Sequence, residues 1–392
     1  MRGRSGSWFV VGRAGSCLAD EILPTVSAAC PDAVLPPARN HLQEGTPLTV
    51  SPFGAGPEGR DCRRFGLRDG HVEVDLTDYG ATLVAVRAPD RDGRMADVLL
   101  GHDDLAGYLD PANPHLGATI GRVANRIGGA RFSLDEHTFT LAANHGPHHL
   151  HGGEAGALDN VVWDVVSAAD DHVEFAVVSP DGDEGYPGRL EVGVRFELAD
   201  GRLSLDFRAR TDAPTPVNLT SHGYFNLAGE PAGRIDDHEL QVHAAAYTPV
   251  DGELIPTGEV AEVAGTPLDL RAPTRVADAL AAQADDPVGG FDHNYVVDGA
   301  PGRLRPAARV VHPPSGRSLE LLTDQPGVQV YTGNMLDGSV VGRGGVAYAR
   351  HTAFCLEPQG FPDAVNQPTF PSIVLRPGEE YRHRSVYVFG LA

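Results

Sequence analysis

Residues 190–211 read LEVGVRFELADGRLSLDFRART. Apolar side chains occupy every second position on both sides of Asp200-Gly201. Leu190, Val192, Val194, Phe196 and Leu198 precede the pair, and Leu203, Leu205, Phe207 and Ala209 follow it. A period of two is that of a strand with one buried face, and a helix cannot gather such a pattern on one side. Asp-Gly between two alternating runs marks a hairpin, because both residues tolerate the positive φ of a two-residue turn. Whatever the chain folds into must accommodate a long antiparallel hairpin here.

The same signature recurs along most of the chain. HVEVDLTDYGATLVAVRAPD (71–90) alternates and stops at Pro-Asp. Further candidate strands are GARFSLDEHTFTLAAN, VVWDVVSA, HVEFAVVSP, HELQVHAAAYTPV, HNYVVDG, ARVVHPPSGRSLELLTD, GVQVYTGN and YRHRSVYVFGLA. Gly, Pro, Asp or Asn separates them. Gly (47) and Pro (31) make up about a fifth of the chain and disfavour helix interiors. The best helical signal is PTRVADALAAQADD (273–286), with Ala and Leu at helical spacing. Helices this sparse exclude alternating βαβ units, so an all-β sandwich or barrel is expected. No period of 20–50 residues suggests a propeller.

Residues 1–45 differ from the rest. They lack sustained periodicity and read as a flexible N-terminal extension, with one catalytic β-domain over residues 46–392. The apolar run WFVV (8–11) is too short for the core of an export signal. No run of eighteen apolar residues exists, so no membrane span is expected. Cys17, Cys30, Cys62 and Cys355 form no CxxC pair and no zinc spacing. They read as reduced thiols of a cytoplasmic protein. A formal net charge of −22 argues against nucleic acid as a partner and fits a neutral or cationic ligand.

Six stretches carry groups with chemical potential. GRVANRIGGARF (121–132) sets Asn125 beside Arg126, whose five fixed donors suit several hydroxyls of one ligand or, equally, a solvated turn. NHGPHHLHGGEAG (144–156) offers His145, His148, His149, His151 and Glu154. Its histidines invite a metal reading like that of the cupins, but Glu154 follows too closely and no second half is convincing. NLTSHGYFNLAG (218–229) holds His222, a core histidine or a proton carrier near neutral pH. Ser221 and Asn226 are placed to orient its ring, and Tyr224 or Phe225 to face a ligand. Asn218 matches the N-x-S/T rule, which means nothing without export.

In GGFDHNYVVDG (289–299), Asp292 is either a turn residue bonded to its own backbone or an acceptor for two hydroxyls. Gln329, in QPGVQVYTGNML, must find partners if it faces inward from a strand. Glu357, in FCLEPQGFPDAVNQPTFPS, follows an apolar run. Partial desolvation there would raise its pKa and make it a better base; the alternative is a solvated strand end.

Taken in order, GRVANRI, LHGG, NLTSHGYFNL, FDHNY, GVQVYTGN and LEPQGFPDAVNQPTFP resemble the aldose 1-epimerase (galactose mutarotase) family, from about residue 60 to the C-terminus. The resemblance implies one large antiparallel β-sandwich, the galactose mutarotase-like supersandwich, with few short helices. It implies that His222 is the proton donor and Glu357 the general base. Asn125, Arg126, His151, Asp292 and Gln329 would bind the sugar. No metal and no cofactor are implied, and the partner is a small aldose, with the protein a monomer or homodimer. The alternatives are a non-catalytic sugar-binding or regulatory protein of the same fold, a hexose-phosphate epimerase, and a cupin-like metalloenzyme. Retention of both His222 and Glu357 speaks against a mere binder, because binding needs no acid–base pair.

Overall fold

The hairpin at residues 190–211 forms as strands Leu190–Ala199 and Arg202–Thr211, in register from Leu190↔Thr211 to Ala199↔Arg202. Asp200 and Gly201 make the turn, with φ of 51° and 71°. Both lie in the left-handed region, which is why Gly and Asp are suited to the turn. The computed structural model describes residues 47–230, 233–284 and 286–392. The extension expected over residues 1–45 lies outside the described residues.

The hairpin is the heart of a nine-stranded antiparallel sheet. The strand order is Asp164–Ala169, His172–Ser179, Leu190–Ala199, Arg202–Thr211, Tyr381–Leu391, Arg317–Thr323, Arg305–Val311, Glu239–Val242 and Thr274–Arg275. The last long strand of the chain is thus inserted between strands that precede it by more than fifty residues. A five-stranded meander, from Thr49–Ala55 to Met95–Asp97, forms a second sheet. A third has six strands: Tyr224–Phe225, Phe354–Gln359, Gly327–Tyr331, Asp292–Val296, Ala246–Tyr247 and Ala261–Glu262.

The nine-stranded sheet packs against both of the others. Phe65 of the meander meets Phe175 edge-on at 5.6 Å. Phe225 of the six-stranded sheet lies 5.5 Å from Tyr387, whose hydroxyl donates to the Leu356 carbonyl. The result is the all-β sandwich expected from the alternation. Each fully buried Phe or Leu in its core contributes about 1.5–3 kcal/mol.

The helix expected at 273–286 is shorter than its pattern. Thr274–Arg275 pairs with Glu239 and Leu240 as a sheet edge, and only Val276–Ala282 is helical. Backbone pairing at the sheet margin takes the first turn. Val276 and Ala279 bury the short helix, so its apolar face spans just two turns.

Candidate active site

In the six-stranded sheet the strands Tyr224–Phe225, Phe354–Gln359, Gly327–Tyr331 and Asp292–Val296 are buried on both faces, apart from the half-buried Val296, and sort side chains by period two. Phe354, Leu356, Val328, Val330 and Tyr295 point into the main core. Their neighbours Cys355, Glu357, Gln329, Tyr331, Asp292 and Asn294 go to the other side. Register sets Gln329 opposite both Glu357 and Asn294, and Tyr331 opposite both Cys355 and Asp292. The strand expected to end near Glu357 runs on through Pro358 to Gln359, so Glu357 sits inside it and is 2% exposed.

A cavity of about 190 Å³ opens on this polar face. Asn125, Arg126, His151, His222, Asp292 and Glu357 line it, together with Pro114, His115, His145, Leu150, Tyr224, Tyr331, Met335 and Leu336. Six of the seven expected site residues therefore converge from five segments far apart in the chain. Gln329 does not line the cavity. Its amide lies behind Asp292, donating to Oδ1 at 2.6 Å and accepting from Gln359 at 3.4 Å.

Asn125 and His151 are held by their backbones. Both adopt positive φ, 62° and 52°, which costs a non-glycine residue about 1–3 kcal/mol and is a common feature of functional sites. The His151 N–H donates to the Asn125 carbonyl, and the Asn125 N–H donates to His151 Nδ1 at 3.3 Å. Nδ1 is thereby an acceptor, so the hydrogen of the neutral ring is on Nε2. Burial, then the neighbouring His115 and His222, pushes the His151 pKa well below the histidine range and keeps the ring neutral. Arg122 anchors the loop from below, with Nε on Ser179 and the other donors on the carbonyls of Ser179, Pro180, Pro187 and Gly188. Asp363 ties down the next turn through the Gly128 N–H at 2.9 Å.

Arg126 is 4% exposed. It has an Asn125 Oδ1 contact at 3.5 Å and stands 3.9 Å from Asp292, while its Nε has no partner. A buried guanidinium with unspent donors is poised for an incoming acceptor.

His222 is 5% exposed, stacked on Tyr224 at 4.8 Å and 11°. Tyr224 is fixed in turn by its hydroxyl on the Pro114 carbonyl. His222 Nε2 stands 3.6 Å from Glu357 Oε2. Its Nδ1 is buried without a partner. Ser221 and Asn226 do not orient the ring as expected. Ser221 Oγ has no partner, and the Asn226 amide spans the Gly233 and Thr352 carbonyls. The ring is set by stacking rather than by a hydrogen bond. Phe225 turns into the core, and a Cβ on Gly223 would meet its ring at 2.7 Å.

Desolvation dominates the electrostatics. It lowers His222 to about 3, with His115 a further cause. It raises Glu357 well above the carboxylate range; Asp292 reinforces the shift and Arg126 opposes it. Both shifts favour the neutral form of the pair, with the shared proton on Glu357 rather than on His222. The competition between nearby carboxylates and burial, open from the sequence, goes to burial.

Among the described residues, one group has the spacing of a metal site: His222, Cys355 and Glu357, with ligand atoms within 4.8 Å of one another. The Cys355 thiol is pushed well above its usual range by burial and is a poor ligand in that form. The cluster suggested by residues 144–156 disperses. His149 is bound to the Ala142 carbonyl and the Tyr186 hydroxyl, while His148 Nδ1 takes the Gly129 N–H.

The chain is similar to known proteins over most of its length. Residues 63–388 match the family model described as aldose 1-epimerase. The chain is 48% identical to a galactose mutarotase from Bos taurus over 341 residues, 87% of this chain and 96% of that one. It is 39% identical to an aldose 1-epimerase from Escherichia coli over 338 residues, covering 85% and 96%. A GalM/aldose epimerase homologue from C. elegans superposes with a TM-score of 0.77 at 30% identity, covering 83% of this chain and 98% of the other.

Proposed function

The chain belongs to the aldose 1-epimerase family and interconverts the α and β anomers of free aldoses, and on that premise we propose that His222 and Glu357 carry the protons. The observation that supports this most is the pair itself: two buried titratable groups 3.6 Å apart, among unspent hydroxyl-binding groups.

A cyclic aldose is a hemiacetal. Inverting C1 requires its hydroxyl to lose a proton while the ring oxygen gains one. Glu357 takes the C1 hydroxyl proton, the charged His222 protonates O5, and the C1–O5 bond breaks to leave an aldehyde. Rotation about C1–C2 and closure on the other face reverse both transfers. Before opening, Glu357 is a carboxylate and His222 an imidazolium. After opening, Glu357 is a carboxylic acid and His222 a neutral imidazole. Both states hold one proton, so the cycle needs none from solvent. Burial stabilises the second state. Sugar hydroxyls that hydrogen-bond Glu357, together with Arg126, favour the first. General acid–base catalysis of this kind is worth roughly 10²–10⁴-fold, with positioning in addition.

Asn125, Arg126, His151 and Asp292 hold the ring, and Gln329 holds Asp292. Galactose and glucose are the proposed substrates. A sugar phosphate fits less well, because the cavity sets a single arginine against Asp292 and Glu357 and the chain contains no lysine. We assign the chemistry to one unit, residues 46–392, working without metal or cofactor as a monomer or homodimer. The buried free thiols of Cys62 and Cys355 support a reducing, cytoplasmic setting.

Polarimetry on freshly dissolved α-galactose and α-glucose tests the assignment. Wild type speeds the approach to an unchanged final rotation. His222→Asn and Glu357→Gln lose most of that acceleration. An unchanged rate in either variant removes that residue from the chemistry.

A further inference from the structure

Four histidines line the cavity, and only two, His151 and His222, belong to the expected set. The rings of His115 and His151 lie 4.9 Å apart, and His115 is nearly parallel to His222 at 6.2 Å and 24°. His115 Nδ1 meets Asp159 Oδ2 at 2.7 Å, across 44 residues of sequence. The His115 side chain is 26% exposed and lines the cavity, whereas that of Asp159 is 5% exposed.

Asp159 is the informative partner. Among the described residues its carboxylate makes no hydrogen bond except to His115, and its Oδ1 is buried unpaired. A buried carboxylate is costly, so one committed to a single surface-reaching imidazole is best explained by what that imidazole does. The bond also fixes the ring. Nδ1 carries a hydrogen toward the carboxylate, which leaves Nε2 free as an acceptor in the neutral ring and a donor in the charged one. A hydroxyl can meet either. His115 holds its place through a backbone φ of 62°, beside Pro114, whose carbonyl takes the Tyr224 hydroxyl.

We propose that His115 is an additional sugar ligand, with Nε2 bonded to a hydroxyl at the mouth of the cavity, and that Asp159 is its positioning residue. The proposal rests on the aldose reading of the same cavity. It makes His115 a residue of specificity: it would recognise one ring hydroxyl, away from the Glu357 floor.

The test is mutarotation kinetics on glucose and its 2-, 3-, 4- and 6-deoxy analogues, in wild type, His115→Phe, His115→Gln and Asp159→Ala. His115→Phe keeps a ring and removes the hydrogen bond. It is expected to raise KM about fivefold with kcat within about twofold, the scale of one neutral hydrogen bond. His115→Gln restores part of the loss. One deoxy sugar should be poor for wild type yet no poorer than glucose for His115→Phe, and that sugar names the hydroxyl. Asp159→Ala should give a similar KM rise that is not additive with His115→Phe. The proposal is overturned by an unchanged KM in His115→Phe. Equal losses on every deoxy sugar in wild type and His115→Phe also overturn it, because His115 would then only pack. If wild type fails to accelerate any of these sugars, the aldose reading itself fails, an outcome distinct from the other two.

Discussion

In the strands Phe354–Gln359, Gly327–Tyr331 and Asp292–Val296 both faces of the six-stranded sheet are buried, and they are chemically opposite. Toward the nine-stranded sheet, Phe354, Leu356, Val328, Val330 and Tyr295 fill space and leave no buried side-chain polar atom unpaired. One residue away along the same strands, Glu357 Oε2, Gln359 Oε1 and Asn294 Oδ1 are buried without partners, and Arg126 Nε and His222 Nδ1 join them from other segments of the chain. An unmade buried hydrogen bond costs about 1–3 kcal/mol, so this face is unstable for its size while the other is stabilising. The difference teaches where the fold ends and the function begins. Unpaired polar groups at the cavity, Glu357 Oε2, Arg126 Nε and His222 Nδ1 among them, are groups that a polar ligand can satisfy.

Substitutions on the two faces should therefore fail differently. The largest effects belong to the cavity face. Glu357→Gln and His222→Asn are expected to lose about 10²–10⁴-fold in kcat while unfolding at nearly the wild-type denaturant midpoint. Leu356→Ala, next to Glu357 but on the core face, should do the reverse. It opens a cavity and costs about 2–5 kcal/mol, with kcat per folded molecule within about threefold. If Leu356→Ala abolished catalysis without loss of stability, the separation of the two faces would be wrong.

Gln329 sharpens the contrast, because it is polar, on the cavity face, and yet outside the cavity. Its 2.6 Å bond to Asp292 supports the positioning role proposed for it. Gln329→Leu is expected to raise KM about tenfold, by loosening a buried carboxylate. In an Asp292→Asn background the same change should add little. A full additional loss there, in a double-mutant cycle, would mean that Gln329 touches the sugar directly.

Much of this is legible from the residues, for a physical reason. Period two in GVQVYTGN and FCLEPQ already separates Val328, Val330, Phe354 and Leu356 from Gln329, Tyr331, Cys355 and Glu357. Without tertiary context it cannot say which set meets core and which meets a cavity, and here both sets are buried. The resemblance carries the site residues. It cannot place Gln329 behind Asp292, since a distance between strands is not a property of either motif. His115 gives no signal. It stands in no patterned stretch, and its partner Asp159 arrives from 44 residues away. Ser221 and Asn226 mislead because adjacency in sequence is not adjacency to the ring, and the chain turns them elsewhere. The helix expected at 273–286 is too long because an alanine-rich pattern does not reveal that its first residues are claimed by a sheet edge.

The smallest expected effect is a near absence of one, and it concerns the proton. An unperturbed histidine at the His222 position would bring a limb in kcat/KM near pH ~6.5. Burial instead lowers His222 to about 3 and raises Glu357 well above the carboxylate range. On acidification the pair gains its second proton only far below the histidine range, because the lowered group resists charging. On alkalinisation it loses its first proton only well above the ordinary carboxylate range, because the raised group holds on. Between those limits it carries one proton, the number both states of the cycle require. The two limbs belong to the coupled pair rather than to either residue. The activity of wild type is therefore expected to show no acid limb through the histidine range, falling less than about twofold from pH ~7 to ~5.5. A steep acid limb near pH ~6.5 would show a solvated His222 and erase the electrostatic difference between the two faces, leaving only their difference in shape.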